Sequence, residues 1–152
     1  TETSLFEDAE ATTRILQRFA AMGVRVSVDD FGTGYSSLSH LHRFPLDEIK
    51  IDRLFVENLH QNHQDRSIVR SLVGIARDLG LDLIAEGVER ADALRHLYRM
   101  GCRGFQGFLL SVPLSDEELL KFRDRIVRDG MTFRIPAGAA GDSAETVETA
   151  DT

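Results

Sequence analysis

The chain has 152 residues, a length that suits a single domain with one buried core. Its 42% hydrophobic and 28% charged residues are typical of a globular chain and exclude the disordered, fibrous and disulfide-stapled classes. The formal net charge of −7 argues against a nucleic-acid polymer as partner, because neutralising phosphates requires a basic surface. It does not exclude a small ligand that carries phosphate.

Cysteine content and hydropathy predict the compartment. The single cysteine, Cys102, cannot form an internal disulfide, so we expect a reducing, cytoplasmic environment. No apolar run approaches the roughly 20 residues that cross a bilayer, and we therefore expect no membrane contact from this segment. Because the chain starts at Thr1 with no leader, we expect a piece of a longer protein, which upstream segments could tether to a membrane.

A repeated unit organises the chain: an amphipathic helix, a glycine that ends it, a short apolar strand, and a polar residue at the end of that strand. The helices are predicted to end at Gly23, Gly80 and Gly101. The strands after them read VRVSV, LDLIA and CRGF, and DEIKID supplies a further strand between the first two. The polar residues at the strand ends are Asp29, Asp30, Glu86 and Gln106.

The C-terminal part divides at residue 135. A last helix is predicted to begin at Ser115, because Glu118 follows three residues later as in a capping box. From Pro136 onward the residues are small or acidic and cannot offset the entropy of ordering. We therefore predict one folded unit over residues 1–135 and a disordered acidic tail over 136–152.

Alternating strands and helices predict an α/β fold with a parallel sheet and right-handed crossovers. Two architectures fit. An open doubly wound sheet would be complete at this length, whereas a (β/α)₈ barrel needs roughly 250 residues, so that this chain would be its second half. Both architectures place chemistry at the carboxyl ends of the strands, where the polar residues fall.

Three of these polar side chains suit metal or phosphate chemistry. Asp29 and Asp30 end an apolar strand, and such carboxylates bind hard cations such as Mg²⁺ or Mn²⁺; alternatively, one acid caps the turn that follows and the other is solvated. Glu86 is either a further ligand or a strand-end acid paired with a basic residue. Lys50 is either an exposed lysine or, among carboxylates, a group that holds a phosphate oxygen or orients a water molecule.

Four motifs together resemble the EAL-domain family of cyclic di-GMP phosphodiesterases. They are DDFGTGYSSL from Asp29, IKIDRLF from Ile49, IAEGVE from Ile84 and GCRGFQGFLLSVPL from Gly101, in the order and spacing of the family. The resemblance extends from residue 1 to about residue 125. It implies a (β/α)₈ TIM-type barrel, of which this chain supplies roughly the C-terminal half.

The resemblance also implies an activity and its cofactors. Members of the family hydrolyse cyclic di-GMP to linear pGpG with two divalent metals, Mg²⁺ or Mn²⁺, that bind the attacking water, and Ca²⁺ is expected to inhibit. The expected partners are cyclic di-GMP and a second copy in a homodimer. A receiver-like doubly wound domain also carries an acidic pair at a strand end, but its lysine follows at a longer distance than Lys50 does.

By the same resemblance, residues of this chain take specific roles. Asp29 matches the acid shared by the two metals, Asp30 a ligand of one metal, and Glu86 a metal ligand that was also assigned as general base. Lys50 matches a lysine that contacts the attacking water or the phosphate, and Gln106 matches a glutamine near that water.

Four further residues match with less specific roles. Asp52, Arg53 and Glu89 are expected to contact the substrate. Glu2 falls where the family has a glutamate that anchors the loop after Asp30.

The chain also departs from the family pattern. The Glu-Ala-Leu segment, an asparagine ligand and one metal-ligating glutamate are all expected upstream of Glu2, and Phe108 and Val112 stand where tyrosine and lysine are common. Without those ligands the chain alone is expected to be inactive. The alternative function is a non-catalytic module that binds cyclic di-GMP or serves as a dimerisation scaffold.

Overall fold

The computed structural model describes residues 9–33, 41, 43–129, 132–134 and 146–148. Its helices are α1 (Ala9–Ala21), α2 (Arg53–Glu57), α3 (His63–Leu79), α4 (Ala91–Met100) and α5 (Asp116–Asp129). Its strands are β1 (Ser27–Phe31), β2 (Glu48–Ile51), β3 (Asp82–Ala85), β4 (Gly104–Phe105), β5 (Thr132–Arg134) and β6 (Thr146–Glu148). Glu2 and residues 34–38 of the FGTGYSSL segment lie outside the described residues.

Four parallel strands form the main sheet, in the order β1-β2-β3-β4. Helices α2 and α3 connect β2 to β3, and α4 connects β3 to β4, so the predicted α/β class and parallel sheet are confirmed. Within the part of the chain that the structure describes, β1 and β4 each have one edge that pairs with no further strand. The sheet is therefore open at both sides.

The core lies between one face of this sheet and the helices α3 and α4. The buried sheet residues are Val28, Phe31, Ile49, Ile51 and Ala85, and the helices contribute Val69, Leu72, Leu94 and Leu97. Burying each large aliphatic side chain stabilises the fold by about 1.5–3 kcal/mol relative to exposure. Because strand side chains alternate, Lys50, between Ile49 and Ile51, points to the opposite face of the sheet.

The helix ends are fixed by side-chain caps. The side chain of Asn62 accepts hydrogen bonds from the backbone N–H groups of Gln64 and Asp65 and so begins α3. The capping box predicted for the last helix is confirmed, because Glu118 accepts from the backbone N–H of Ser115 at 2.9 Å. Among the described helices, none is both long and apolar enough to cross a membrane.

The structure differs from the predicted disorder at three residues of the tail. Strand β6 lies within the 136–152 segment and pairs antiparallel with β5. Threonine and valine favour extended backbone, which is consistent with pairing of the Thr-Val-Glu segment. The remainder of that segment lies outside the described residues.

Two helices expose large apolar side chains. On α1, Ile15 and Phe19 are exposed, and so is Met22 directly after the helix. On α5, the exposed large apolar residues are Leu119, Leu120 and Val127. The surface that would cover these faces is not among the described residues.

These exposed faces and the open sheet edges predict how the isolated chain behaves. We expect the 152-residue chain to self-associate, because unpaired strand edges and contiguous apolar surface both favour contact with further copies. Sedimentation velocity and the fluorescence of a dye that binds apolar surface measure this. A monodisperse monomer that binds no dye would contradict the expectation.

Burial determines the chemistry of the single cysteine. Cys102 is buried, and its thiol donates a weak hydrogen bond to the carbonyl of Gly104 at 3.2 Å. Burial raises the pKa of this thiol to about 11. At pH 8 the reactive thiolate is therefore a very small fraction in the folded state.

We expect alkylation of Cys102 at pH 8 to be at least about 100-fold slower in the folded protein than in urea, because each pKa unit reduces the thiolate about tenfold. Iodoacetamide labelling followed by mass spectrometry of the Cys102 peptide measures both rates. Equal rates in the two states would contradict the buried position.

Candidate metal centre

A bulge in β1 places the two adjacent acids. Val28 pairs with Ile49 and Phe31 with Ile51, so β1 contains one more residue than β2 over this stretch. Asp30 has a φ of 54°, in the left-handed region that residues other than glycine seldom adopt. Since Val28 and Phe31 are both buried, the bulge keeps both carboxylates out of the core. The bulge therefore interrupts the side-chain alternation of a regular strand at the two acids.

Three carboxylates converge at the carboxyl ends of the strands. One oxygen each of Asp29, Asp30 and Glu86 lies within 4.8 Å of the other two. Glu86 follows β3 directly, and its backbone N–H donates to the carbonyl of Ile51 on β2 at 3.1 Å. The sheet thus brings residues that are far apart in sequence together at the carboxyl ends of its strands.

Lys50 lies on β2, between the strands that carry these acids. Its ammonium donates to Oδ1 of Asp29 at 3.0 Å and forms an ion pair with Glu86. The hydrogen bond to Glu86, together with the one to Asp29, raises the pKa of Lys50 even though partial burial opposes it. Lys50 is therefore an ammonium ion that pairs with two of the carboxylates, Asp29 and Glu86.

The charges and donor atoms of this carboxylate–lysine cluster, Asp29, Asp30, Glu86 and Lys50, fit a divalent cation. Three carboxylates and one ammonium leave a net charge of −2. The side-chain donors are all carboxylate oxygens, which suit Mg²⁺, Mn²⁺ or Ca²⁺. A bound divalent cation would neutralise the residual charge that the ammonium leaves.

The predicted substrate contacts lie beside this cluster. The side chain of Asp52 caps α2 by accepting from the backbone N–H of Leu54 at 2.7 Å. The guanidinium of Arg53 pairs with Glu57, and its Nη1 lies 3.7 Å from Oε1 of Glu89. The structure thus brings Arg53 and Glu89 together and gives Asp52 a local structural contact.

Gln106 is placed next to the cluster through its backbone. Its N–H donates to the carbonyl of Ala85, and its carbonyl accepts from Val88. Its side chain is exposed, and it does not take part in the ion pairs that join Lys50 to Asp29 and Glu86.

Sequence reasoning missed Glu57, the partner of Arg53. The signal was available, because Glu57 follows Arg53 by four residues, a spacing at which helical side chains meet. The short helix α2 was itself not predicted, and without a helix that spacing carries no information.

Comparison with known proteins identifies the family. The EAL domain model matches residues 1–113. The chain is 48% identical over 120 residues to the bifunctional diguanylate cyclase/cyclic di-GMP phosphodiesterase MucR of Pseudomonas aeruginosa, covering 79% of this chain and 18% of MucR. It is 46% identical over 114 residues to the cyclic di-GMP phosphodiesterase PdeR of Escherichia coli, covering 75% of this chain and 17% of PdeR. The chain therefore spans less than a fifth of these two relatives.

Solved structures agree with this result. The phosphodiesterase of P. aeruginosa MucR in complex with c-di-GMP matches with a TM-score of 0.71 and 47% identity, covering 76% of this chain and 47% of that one. The manganese/cy-diGMP complex of Klebsiella pneumoniae BlrP1 matches with a TM-score of 0.69 and 39% identity, covering 74% of this chain and 29% of that one. EAL domains are TIM-type barrels, so the sheet described above is part of such a barrel and the predicted fold is confirmed. The chain belongs to the EAL domain family and spans part of the domain.

Proposed function

We propose that residues 1–135 are the C-terminal part of an EAL-type phosphodiesterase domain that hydrolyses cyclic di-GMP to linear pGpG. The observation that carries this proposal is the carboxylate–lysine cluster at the carboxyl ends of parallel strands. Its residues lie within a match of 46–48% identity to proteins named as cyclic di-GMP phosphodiesterases. Residues 136–152 would be a tail with no part in the chemistry.

The carboxylates of the cluster would bind the metals, and one of them would also accept a proton. Asp29, Asp30 and Glu86 would hold the divalent metals, with Asp29 shared between two of them. A bound Mg²⁺ or Mn²⁺ supplies charge stabilisation at the phosphate and lowers the pKa of bound water. Glu86 can accept the proton of the attacking water, because its carboxylate lies at the edge of the cluster and is only partly exposed.

Lys50 would act on the substrate. Its ammonium is held between Asp29 and Glu86, and the same N–H donors can contact a phosphate oxygen or orient the attacking water. The positive charge favours the phosphorane-like transition state, on which negative charge accumulates. Gln106, at the end of the neighbouring strand, would hydrogen-bond the same water.

The residues beside the cluster would contact the nucleotide. Asp52, Arg53 and Glu89 lie just beyond the carboxyl ends of β2 and β3. The carboxylates of Asp52 and Glu89 can accept the N–H groups of a guanine edge, and the guanidinium of Arg53 can donate to a phosphate or base oxygen. Glu2 would anchor the loop after Asp30. The active form would be a cytoplasmic homodimer, which the match of the FGTGYSSL loop to the family supports.

The metal preference follows from coordination chemistry. Mg²⁺ demands near-octahedral geometry and Mn²⁺ shares its preference for carboxylates, whereas Ca²⁺ takes six to eight ligands in flexible geometry. We therefore expect Ca²⁺ to permit binding of cyclic di-GMP and to inhibit its hydrolysis.

Chromatography of the full-length protein with cyclic di-GMP tests the proposal. Linear pGpG should appear with Mg²⁺ or Mn²⁺ and should not appear with EDTA or Ca²⁺. If no pGpG forms with either active metal, the proposed function fails. If calorimetry with Ca²⁺ then shows heat of cyclic di-GMP binding, the result supports the alternative, a non-catalytic module that binds cyclic di-GMP. For the isolated chain, the coverage of only 47% of the MucR phosphodiesterase also favours this alternative.

A further inference from the structure

We propose that Arg53 and Phe55 are positioning residues that set the spacing of the carboxylate–lysine cluster. Both belong to α2, and they lie against the glycines that closely follow the carboxylates of β1 and of Glu86. Arg53 acts through Gly87 and Phe55 acts through Gly32. The inference rests on the proposed metal role of the cluster.

The first contact joins Phe55 to the loop after β1. Gly32 follows Asp30 by two residues and has a φ of +102°. A Cβ at this position would lie 2.9 Å from Cε2 of Phe55, so the ring fills the space that a side chain would need. Phe55 also packs against the buried core, which fixes the ring. The backbone next to Asp30 therefore lies directly on the ring.

The second contact joins Arg53 to the loop after β3. Gly87 directly follows Glu86 and has a φ of +66°. A Cβ there would lie 2.4 Å from Cγ and 2.8 Å from Cβ of Arg53, so the aliphatic part of the arginine lies across the glycine backbone. The guanidinium is held by Glu57 on one side and faces Glu89 on the other.

Helix α2 is anchored firmly enough to act as a reference for both loops. Asp52 caps its first turn, Val56 is fully buried, and Leu59, two residues beyond the helix, is fully buried as well. A displacement of either loop against α2 would change the separations among the carboxylate oxygens, which now lie within 4.8 Å. Groups that support metal ligands in this way typically change metal affinity about 10- to 100-fold when they are removed.

Arg53 could instead act by its charge, through direct contact with the substrate. The two roles depend on different parts of the side chain. Packing on Gly87 needs the aliphatic stem, which methionine retains, whereas contact with a phosphate or a base needs the guanidinium. The variants Arg53→Met and Arg53→Ala lose the same charge and differ in the stem.

The experiment measures Mn²⁺ affinity of the full-length protein without substrate, from the electron paramagnetic resonance signal of free Mn²⁺. We expect Arg53→Ala to bind Mn²⁺ about 10-fold more weakly than Arg53→Met, because only methionine keeps the stem against Gly87. Loss of charge alone would affect both variants equally and would tighten Mn²⁺ binding. Arg77→Ala, an exposed arginine in the last turn of α3, serves as the control and should match wild type.

Two results would overturn the proposal for Arg53. The first is equal Mn²⁺ affinity of Arg53→Ala and Arg53→Met. The second is Mn²⁺ affinity of Arg53→Ala equal to that of wild type, which would show that the aliphatic stem does not set the spacing of the cluster. Neither result depends on turnover, so a failure here is distinct from the failure of wild type to form pGpG.

Phe55→Leu tests the other contact. Leucine keeps an apolar side chain in the core and removes the ring face on which Gly32 lies. We expect Mn²⁺ binding about 10-fold weaker than in wild type, while the variant keeps a cooperative thermal transition. Wild-type Mn²⁺ affinity in this folded variant would overturn the role of Phe55.

Discussion

Replacing Asp29 with Asn in the full-length protein is expected to lower kcat/KM for cyclic di-GMP by about 10³-fold, equivalent to about 4 kcal/mol. Asparagine keeps the size of the side chain and removes its charge. The cluster would then lose one of its three carboxylates, and the charged acceptor 3.0 Å from the ammonium of Lys50 would become a neutral amide oxygen. The measurement is the initial rate of pGpG formation with Mg²⁺ at several substrate concentrations.

The matched control for this change is Asp116→Asn. Asp116 is an exposed acid in the first turn of α5 and lies outside the cluster, so its change should leave hydrolysis within about twofold. Hydrolysis by Asp29→Asn at the wild-type rate with Mg²⁺ would remove the metal role of Asp29.

Replacing Lys50 with Met is expected to have two effects of opposite sign. Without the ammonium, the residual charge of the cluster changes from −2 to −3, so Mn²⁺ should bind about tenfold more tightly, or about 1.4 kcal/mol. At the same time kcat should fall about 10²-fold, because a hydrogen-bond donor to the reacting phosphate or water is lost. Mn²⁺ titration and steady-state kinetics measure the two effects separately.

The control for the lysine is Lys121→Met. Lys121 forms an exposed ion pair with Glu117 on α5, and such pairs contribute little. Weaker Mn²⁺ binding in Lys50→Met would show that the ammonium supports the metal instead of competing with it. An unchanged kcat would remove Lys50 from the chemistry.

The positions of α3 and β3 could be predicted because their signals are local. The periodicity of α3, the glycine after it and the short apolar run of β3 predicted that the strand ends just before Glu86, as the structure has it. The convergence of Asp29, Asp30, Glu86 and Lys50 also follows from the parallel sheet, whose strands all end at one edge. Their chemical roles remain predictions.

The bulge and the short helix α2 could not be predicted. Nothing in VRVSVDDF marks an extra residue, because the bulge depends on how Phe31 and Val28 both reach the core when they pair with β2. Helix α2 has five residues, too few for a periodic pattern. The contact between Arg53 and Gly87 depends on where α2 lies against the loop after β3, and it could be found only in the three-dimensional structure.

The chain order of the sheet has a consequence for how the complete domain is held closed. Since β1, β2, β3 and β4 are neighbours in space as in sequence, the rest of the barrel can join this half only along the free edges of β1 and β4. Substitutions along the free edges of β1 and β4 would weaken the pairing that closes the barrel and would leave the pairing of β2 with β3 intact. We expect a protein with such a change to retain the carboxylate–lysine cluster and to be cleared by proteases because the parts of its barrel separate too readily.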